Sequence, residues 1–202
     1  GQGALTIPVL KLVKELDAIE LDRDLIPELK HRAGPLGDLR IHQGDVLEFD
    51  FARLKTDDIL LRIFGNLPYN ISSPLIFHLL AHARVISDMI FMLQKEVAER
   101  LAAPHDSEHY GRLSVMVQYH CEVDLLFNVP PAAFSPPPKV ESSMVRLLPR
   151  KEMTGRALDY SHFASIVKFA FAQRRKTLRN SLNNIIDDEI WSRMLFKSDL
   201  RA

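Results

Sequence analysis

The sequence predicts an α/β protein: a mostly parallel, doubly wound sheet with an antiparallel finish, followed by a small all-helical domain. Short apolar runs (Leu16 to Ile19, Leu39 to His42, Ile59 to Phe64, Met89 to Leu93) alternate with helical stretches of about ten residues, the pattern of a parallel sheet with crossover helices. Two more extended runs, Val123 to Val129 and Ser142 to Leu148, flank the proline-rich segment 130–138. That segment cannot enter a sheet interior, so the runs read as two edge strands that close the sheet antiparallel. Past Arg150 the periodicity is helical only, which places a boundary near Lys151 to Leu158 and divides the chain into domains 1–150 and 151–202.

In chain order, Ala4 to Lys14 has apolar residues at helical spacing (Leu5, Val9, Leu12, Val13), with Pro8 tolerated near the first turn. The strand at Leu16 ends in Glu20-Leu21-Asp22, and a helix from about Asp24 to Ala33 is broken by Gly34-Pro35-Leu36-Gly37. The strand at Leu39 runs into Gln43-Gly44-Asp45-Val46. The strand at Ile59 stops at Gly65, and Ser72-Ser73-Pro74 opens a helix to about Ala83. Lys95 to Ala103 is helical, and Arg112 to His120 is assigned helix over strand. In the last domain the expected helices are Asp159 to Ala172, Arg174 to Asn184 and Asp188 to Phe196. Asp57-Asp58 reads as a loop and Asp187-Asp188-Glu189 as a helix start.

Composition narrows the class. The chain has 202 residues, with Lys+Arg and Asp+Glu both 26, so a polyanionic partner must be met by local clustering and not by overall charge. The single Cys121 lies in an apolar stretch and reads as a small buried hydrophobe in a reducing compartment. No apolar run is long enough to span a bilayer and no signal peptide is visible, so a soluble, cytoplasmic protein is expected. Gly1-Gln2-Gly3 resembles the end of a glycine-rich strand-to-helix turn that lacks its strand, and Asp199-Leu200-Arg201-Ala202 has no terminator; the expectation is a fragment of a longer chain.

The stretch richest in chemistry is Phe64-Gly65-Asn66-Leu67-Pro68-Tyr69-Asn70. It sets a carboxamide, a rigid proline elbow and an aromatic face together at the carboxyl end of a strand, where open α/β sheets bind ligands. A strand-terminating turn is the plain alternative. Such an amide and ring also suit methyl transfer to an exocyclic base nitrogen. That nitrogen is a poor nucleophile because its lone pair is delocalised. Asn66 Oδ1 and the Leu67 carbonyl can accept from the amino group, and Tyr69 can stack on the extruded base. Glu20, about 20 residues past the glycine turn, is placed to accept from ribose hydroxyls, and Asp45 at the next strand end from an adenine amine; solvated strand-end carboxylates are the alternative. His78 and His82 lack a third ligand, so packing is expected and no metal. Arg174, Arg175, Lys176 and Arg179, with Lys168 upstream, cluster at the start of an expected helix. Cations there oppose the helix dipole, which points to an anionic partner over a merely solvated face.

Taken with Ile19-Glu20-Leu21-Asp22, Gly44-Asp45, Phe91 to Val97, Tyr110 to Val115, Phe134-Ser135-Pro136-Pro137-Pro138-Lys139-Val140 and Arg174 to Thr177, the chain resembles the bacterial KsgA-type rRNA adenine dimethyltransferases over nearly its whole length. The resemblance implies a class I methyltransferase (Rossmann-like) fold and S-adenosylmethionine as methyl donor without a metal. It further implies dimethylation at N6 of two adjacent adenines in the 3′-terminal hairpin of small-subunit rRNA, with the 30S precursor as partner and the protein a monomer. Carried over, Gly1, Gly3, Glu20, Leu21, Asp45, Val46 and Asn66 would form the cofactor site. Asn66, Leu67, Pro68, Tyr69 and Phe134 would hold the target adenine, Phe134 on the face opposite Tyr69, and Lys168, Arg174, Arg175, Lys176 and Arg179 would meet rRNA. By the same resemblance the first strand is missing from the middle of the sheet and the helical domain is cut short, so weak or no cofactor binding is expected of this chain. Two rivals are kept: a large-subunit rRNA methyltransferase of the macrolide-resistance type, and a non-catalytic RNA-binding assembly factor needing the basic helix but not Asn66.

Overall fold

A computed structural model describes residues 1–56, 59–151, 155, 157–173 and 176–195. They fall into two compact units, Gly1–Ala98 with Asp124–Pro149, and Glu99–Val123 with Arg150–Ala202. Asp57-Asp58, Arg174-Arg175 and the stretch from Phe196 lie outside the described residues.

The first unit alternates helix and strand as expected: α1 Thr6–Val13, β1 Glu15–Glu20, α2 Ile26–Ala33, β2 Asp38–Gln43, β3 Leu61–Asn66, α3 Ser72–Ala81 and β4 Ile86–Gln94. The strands form two sheets. β1 and β2 make a parallel pair, while β3 and β4 pair in parallel, β6 (Ser142–Pro149) runs antiparallel to β4, and β5 (Cys121–Val129) closes the order β3-β4-β6-β5. Among the described residues β1 pairs only with β2, and β3 only with β4, so the mostly parallel sheet is interrupted between them.

Several sequence expectations shift. β6 is not an edge: its alternating Ser143, Val145 and Leu147 are buried, so it inserts between β4 and β5, and of the two expected edge strands β5 alone is terminal. β3 starts at Leu61 and runs through Gly65 to Asn66, leaving Ile59 71% exposed, because pairing with β4 and not apolarity sets the strand ends. In α1 the apolar stripe finds no cover. Leu10 is buried, whereas Leu12 and Val13 are exposed and Leu5 is open too. α3 opens at Ser72 but ends at Ala81, short of Ala83, and the 3-10 turn Arg23–Leu25 replaces the first turn of the helix read from Asp24.

Two glycines are dictated by geometry. Gly3 has φ +81°, and a Cβ there would sit 2.7 Å from Leu29 Cδ1. A Cβ on Gly37 would lie 2.4 Å from the Lys14 carbonyl oxygen, which accepts the Asp38 N–H at 2.8 Å, so the chain entering β2 can cross the end of α1 only with no side chain.

The core of this unit is the apolar face of α3 (Leu75, Ile76, Leu79, Leu80) with Met89, Phe91 and Leu93 of β4 and Val145 and Leu147 of β6. On β1 and β2, Arg40 donates to both oxygens of its register partner Asp17 at 3.1 and 2.9 Å, which holds that carboxyl below the usual carboxylate range.

The second unit contains the second half of α4 (Lys95–Ala102), α5 (Arg112–His120), α6 (Tyr160–Ala170), α7 (Leu178–Leu182) and α8 (Asp188–Leu195). Arg112 to His120 is helical, as read. The helix expected from Arg174 begins only at Leu178, where Thr177 Oγ1 accepts the Asn180 N–H at 3.4 Å, so Lys176 precedes the helix and Arg179 sits in its first turn. A five-residue helix is held chiefly by burial of Leu182 against Ile186 and Trp191. Cys121 is fully buried, and desolvation pushes its thiol up to about 12 against a weaker pull from Arg150, which fits the inert reading.

Candidate functional site

The elbow at the end of β3 is built by backbone bonds on both sides. Asn66 is the last strand residue, opposite Met92 of β4, and the ladder extends one step as the Leu67 N–H donates to the Met92 carbonyl at 3.2 Å. Leu67 turns inward to 7% exposure, which anchors the bend, while Asn66, Pro68, Tyr69 and Asn70 face solvent. The Pro68 carbonyl accepts the Ile71 N–H at 3.1 Å, and the Ser72 hydroxyl donates to the Tyr69 carbonyl at 3.1 Å before α3 begins. Pro68 fixes its own φ, so an inward Leu67 leaves Asn66 and Tyr69 outward on either side of a stiff turn.

Asn66 keeps its carboxamide unpartnered among the described residues, hence available as acceptor and donor. Tyr69 is 41% exposed and, among the described residues, its ring touches no other aromatic ring; its hydroxyl lies 3.5 Å from Ser142 Oγ, at the head of β6. Phe134 follows the 3-10 turn Pro131–Ala133, bonded to the Pro131 carbonyl at 3.1 Å and partly exposed. Among the described residues the Phe134 ring, too, touches no other aromatic ring.

Glu20 and Asp45 end the neighbouring parallel strands: Glu20 is paired with Gln43 in register, and Asp45 follows two residues later. Glu20 is largely buried. Its Oε1 accepts the Asp22 N–H at 3.0 Å and its Oε2 binds the Gly1 α-ammonium. Asp45 is exposed and its Oδ1 accepts the Leu47 N–H at 2.9 Å. Leu21 is exposed, Val46 half-buried and Gly3 buried under Leu29 and Ile7. Thus Gly1 meets Glu20 directly, Asp45 stands beside it, and Asn66 with Tyr69 tops β3 of the same unit, all at carboxyl ends of parallel strands.

The basic residues belong to the second unit. Lys168 is exposed in the last turn of α6 and Lys176 is exposed before α7, its N–H bonded to the Gln173 carbonyl. Arg179 donates to Asp188 Oδ1 at 2.9 Å and so is partly neutralised; Arg174 and Arg175 lie outside the described residues. His78 and His82 pack on Phe51 and on each other at 5.1 Å, and His78 Nε2 bonds the Phe49 carbonyl at 2.8 Å, which accounts for them as packing residues. Among the described residues no helix is long and apolar enough to cross a membrane, and no cluster of His, Cys, Asp or Glu could hold a metal ion.

Sequence reasoning missed Ser142 and the Asp88 network below the elbow. No spacing rule links residue 142 to residue 69, and an aspartate inside the apolar run of β4 reads as an interruption until its partners Arg62 and Arg146 are seen on the flanking strands.

Comparison with known proteins adds the following. The family model described as ribosomal RNA adenine dimethylase matches residues 1–200. A protein named ribosomal RNA small subunit methyltransferase A from Pseudomonas aeruginosa is 58% identical over 189 residues, covering 94% of this chain and 70% of the relative. Its namesake from Chromohalobacter salexigens is 57% identical over 196 residues, covering 95% of this chain and 70% of the relative. Among solved structures, a dimethyladenosine transferase from Plasmodium falciparum superposes with a TM-score of 0.76 at 31% identity, covering 97% of this chain and 68% of that one. The 23S rRNA methyltransferase ErmE, at 22% identity and TM-score 0.74 over 97% of this chain and 77% of that one, shares the fold. The fold is that of class I methyltransferases.

Proposed function

The chain belongs to the ribosomal RNA adenine dimethylase family, and from that premise we propose that it dimethylates N6 of two adjacent adenines in the 3′-terminal hairpin of small-subunit rRNA during ribosome assembly, with S-adenosylmethionine as methyl donor. The observation that carries this reading is the elbow: an unpartnered Asn66 carboxamide beside an open Tyr69 face, on a turn locked by Leu67 and Pro68.

S-adenosylmethionine would supply a sulfonium-bound methyl: the bond from N6 to the methyl carbon would form as the sulfur–carbon bond breaks, and S-adenosylhomocysteine would leave as a neutral thioether. The donor set suits it. Glu20 and Asp45 are hydrogen-bond acceptors at adjacent strand ends, matched to a ribose diol and an adenine amine. Gly1, Gly3, Leu21 and Val46 complete that side. Asn66 Oδ1 and the Leu67 carbonyl accept from N6, draw it toward tetrahedral geometry and free its lone pair. Tyr69 stacks on the flipped base and Phe134 on its other face, so the chain's contribution is extrusion and alignment. Once alkylated the amine is acidic enough to lose its proton to water, and no strong general base is needed. We read residues 1–150 as the catalytic domain and 151–202 as the domain contacting rRNA through Lys168, Arg174, Arg175, Lys176 and Arg179. One copy carries every residue given a role, so the protein works as a cytoplasmic monomer on the 30S precursor.

Immature small subunits treated with wild type and with Asn66→Ala test this. Loss of dimethyladenosine with retained subunit binding supports the reading; equal activity removes Asn66 from it. A factor that binds without methylating would give no product in either case.

A further inference from the structure

Ser142 is buried to 1% exposure, so its hydroxyl depends on a protein partner, and the partner it has is the Tyr69 phenol at 3.5 Å. A buried hydroxyl left unpaired costs more than one ordinary hydrogen bond gains. Ser142 is firmly placed: it stands opposite Gln94 in the β4–β6 ladder, and the next step is closed by the Lys95 N–H on the Glu141 carbonyl at 3.0 Å and the Lys95 Nζ–Glu141 Oε2 pair at 2.7 Å. Tyr69 is thus held at both ends, its carbonyl by Ser72 and its phenol oxygen by Ser142, while the residue stays 41% exposed. A tyrosine needed only for packing would bury its ring, and one held only through its backbone would swing about its side-chain bonds.

We infer that Ser142 is a positioning residue: its buried hydroxyl fixes the Tyr69 phenol and thereby the face the ring presents to the target adenine. The inference rests on the role proposed above for Tyr69. Ser142 also begins the strand that leaves the proline-rich loop bearing Phe134, so the strand that ends one side of the adenine slot holds the ring of the other.

Two measurements test it. In the free protein with tyrosine labelled by 13C at Cζ, the four tyrosines give four resonances, that of Tyr69 identified by its loss in Tyr69→Phe. Ser142→Ala should move this resonance and leave those of Tyr110, Tyr119 and Tyr160 in place; an unmoved Tyr69 signal overturns the contact, whatever the protein methylates. In methylation of immature small subunits, Ser142→Ala and Tyr69→Phe should each lower kcat by about threefold to tenfold at unchanged KM, the worth of one hydrogen bond. The double variant should lose no more than either single one, and Ser142→Thr should restore the rate. Multiplicative losses, or a loss that only tracks a lowered melting temperature, overturn the positioning role. Wild type that fails to methylate overturns the functional reading instead, and the resonance still decides the contact.

Discussion

Replacing Asp88 by Asn probes the base of the strand pair that carries the elbow. Asp88 is opposite Arg62 in the β3–β4 register, four ladder steps below the Asn66–Met92 pair. Its side chain is only 6% exposed. Arg62 Nε donates to Oδ1 at 2.9 Å, Nη2 to Oδ2 at 2.9 Å, and Arg146 Nε stands 3.7 Å from Oδ2. The bidentate bonds to Arg62 hold the Asp88 carboxyl below its ordinary 3.8, with burial working the other way. Two charge-assisted bonds to a buried carboxylate would be worth about 3 kcal/mol or more, but the Arg62 side chain is 73% exposed, and screening reduces this to about 2 kcal/mol. For a chain of this size that is a fall in melting temperature of about 4–8 °C near neutral pH. The sign with pH follows from the lowered folded value. The contribution is complete above about pH 3.8, the unfolded value, and fades as pH falls through the folded one. The gap between wild type and Asp88→Asn should therefore narrow progressively as pH falls below about 3.8. Circular dichroism melts across that range decide it. Equal melting temperatures at neutral pH, or a gap as wide at about pH 3, would refute the assigned role of the pair.

With the sheet interrupted between β1 and β3, S-adenosylmethionine binding should be weaker than micromolar in calorimetry, and Glu20→Gln and Asp45→Asn should each weaken it about tenfold further, since each removes a charged acceptor at a strand end. Reversing Arg174, Arg175 and Lys176 to Glu should weaken small-subunit binding and flatten its dependence on salt, by a log–log slope of about 0.7 to 0.9 for each phosphate no longer neutralised; an unchanged slope would mark a solvated face. Cys121, with its thiol pushed up to about 12, should resist iodoacetamide at about pH 8 until the protein is unfolded, and rapid labelling of the folded chain would contradict its burial. Leu67→Ala should loosen the elbow by removing its one buried side chain, costing about 2–4 kcal/mol and lowering methyl transfer more than small-subunit binding.

Much of the fold was legible because its signals are local. Alternating apolar runs and helices marked the succession of elements along the chain, and Gly34 to Gly37 and Ser72 to Pro74 marked a helix stop and a helix start. The elbow was equally local, since glycine, asparagine, proline and tyrosine in that order fix backbone and chemistry within a few residues. Periodicity failed where burial depends on partners distant in sequence. Leu12 and Val13 have the spacing of a core stripe yet stay exposed. The basic run has the composition of a helix start, yet Thr177, as the capping residue, moves that start to Leu178.

By itself, then, the sequence determined the α/β class, the carboxyl ends of strands as the place of chemistry, and Glu20, Asp45, Asn66 and Tyr69 as residues to expect there, because residue type and short spacing carry that information. Only the tertiary structure decided that β6 inserts between β4 and β5, that the sheet is interrupted between β1 and β3, that Asp88 bridges Arg62 and Arg146, and that the Tyr69 hydroxyl meets a serine 73 residues away. Those facts arise from strand pairing and from buried polar groups finding partners across the sheet, and neither leaves a periodic trace along the chain.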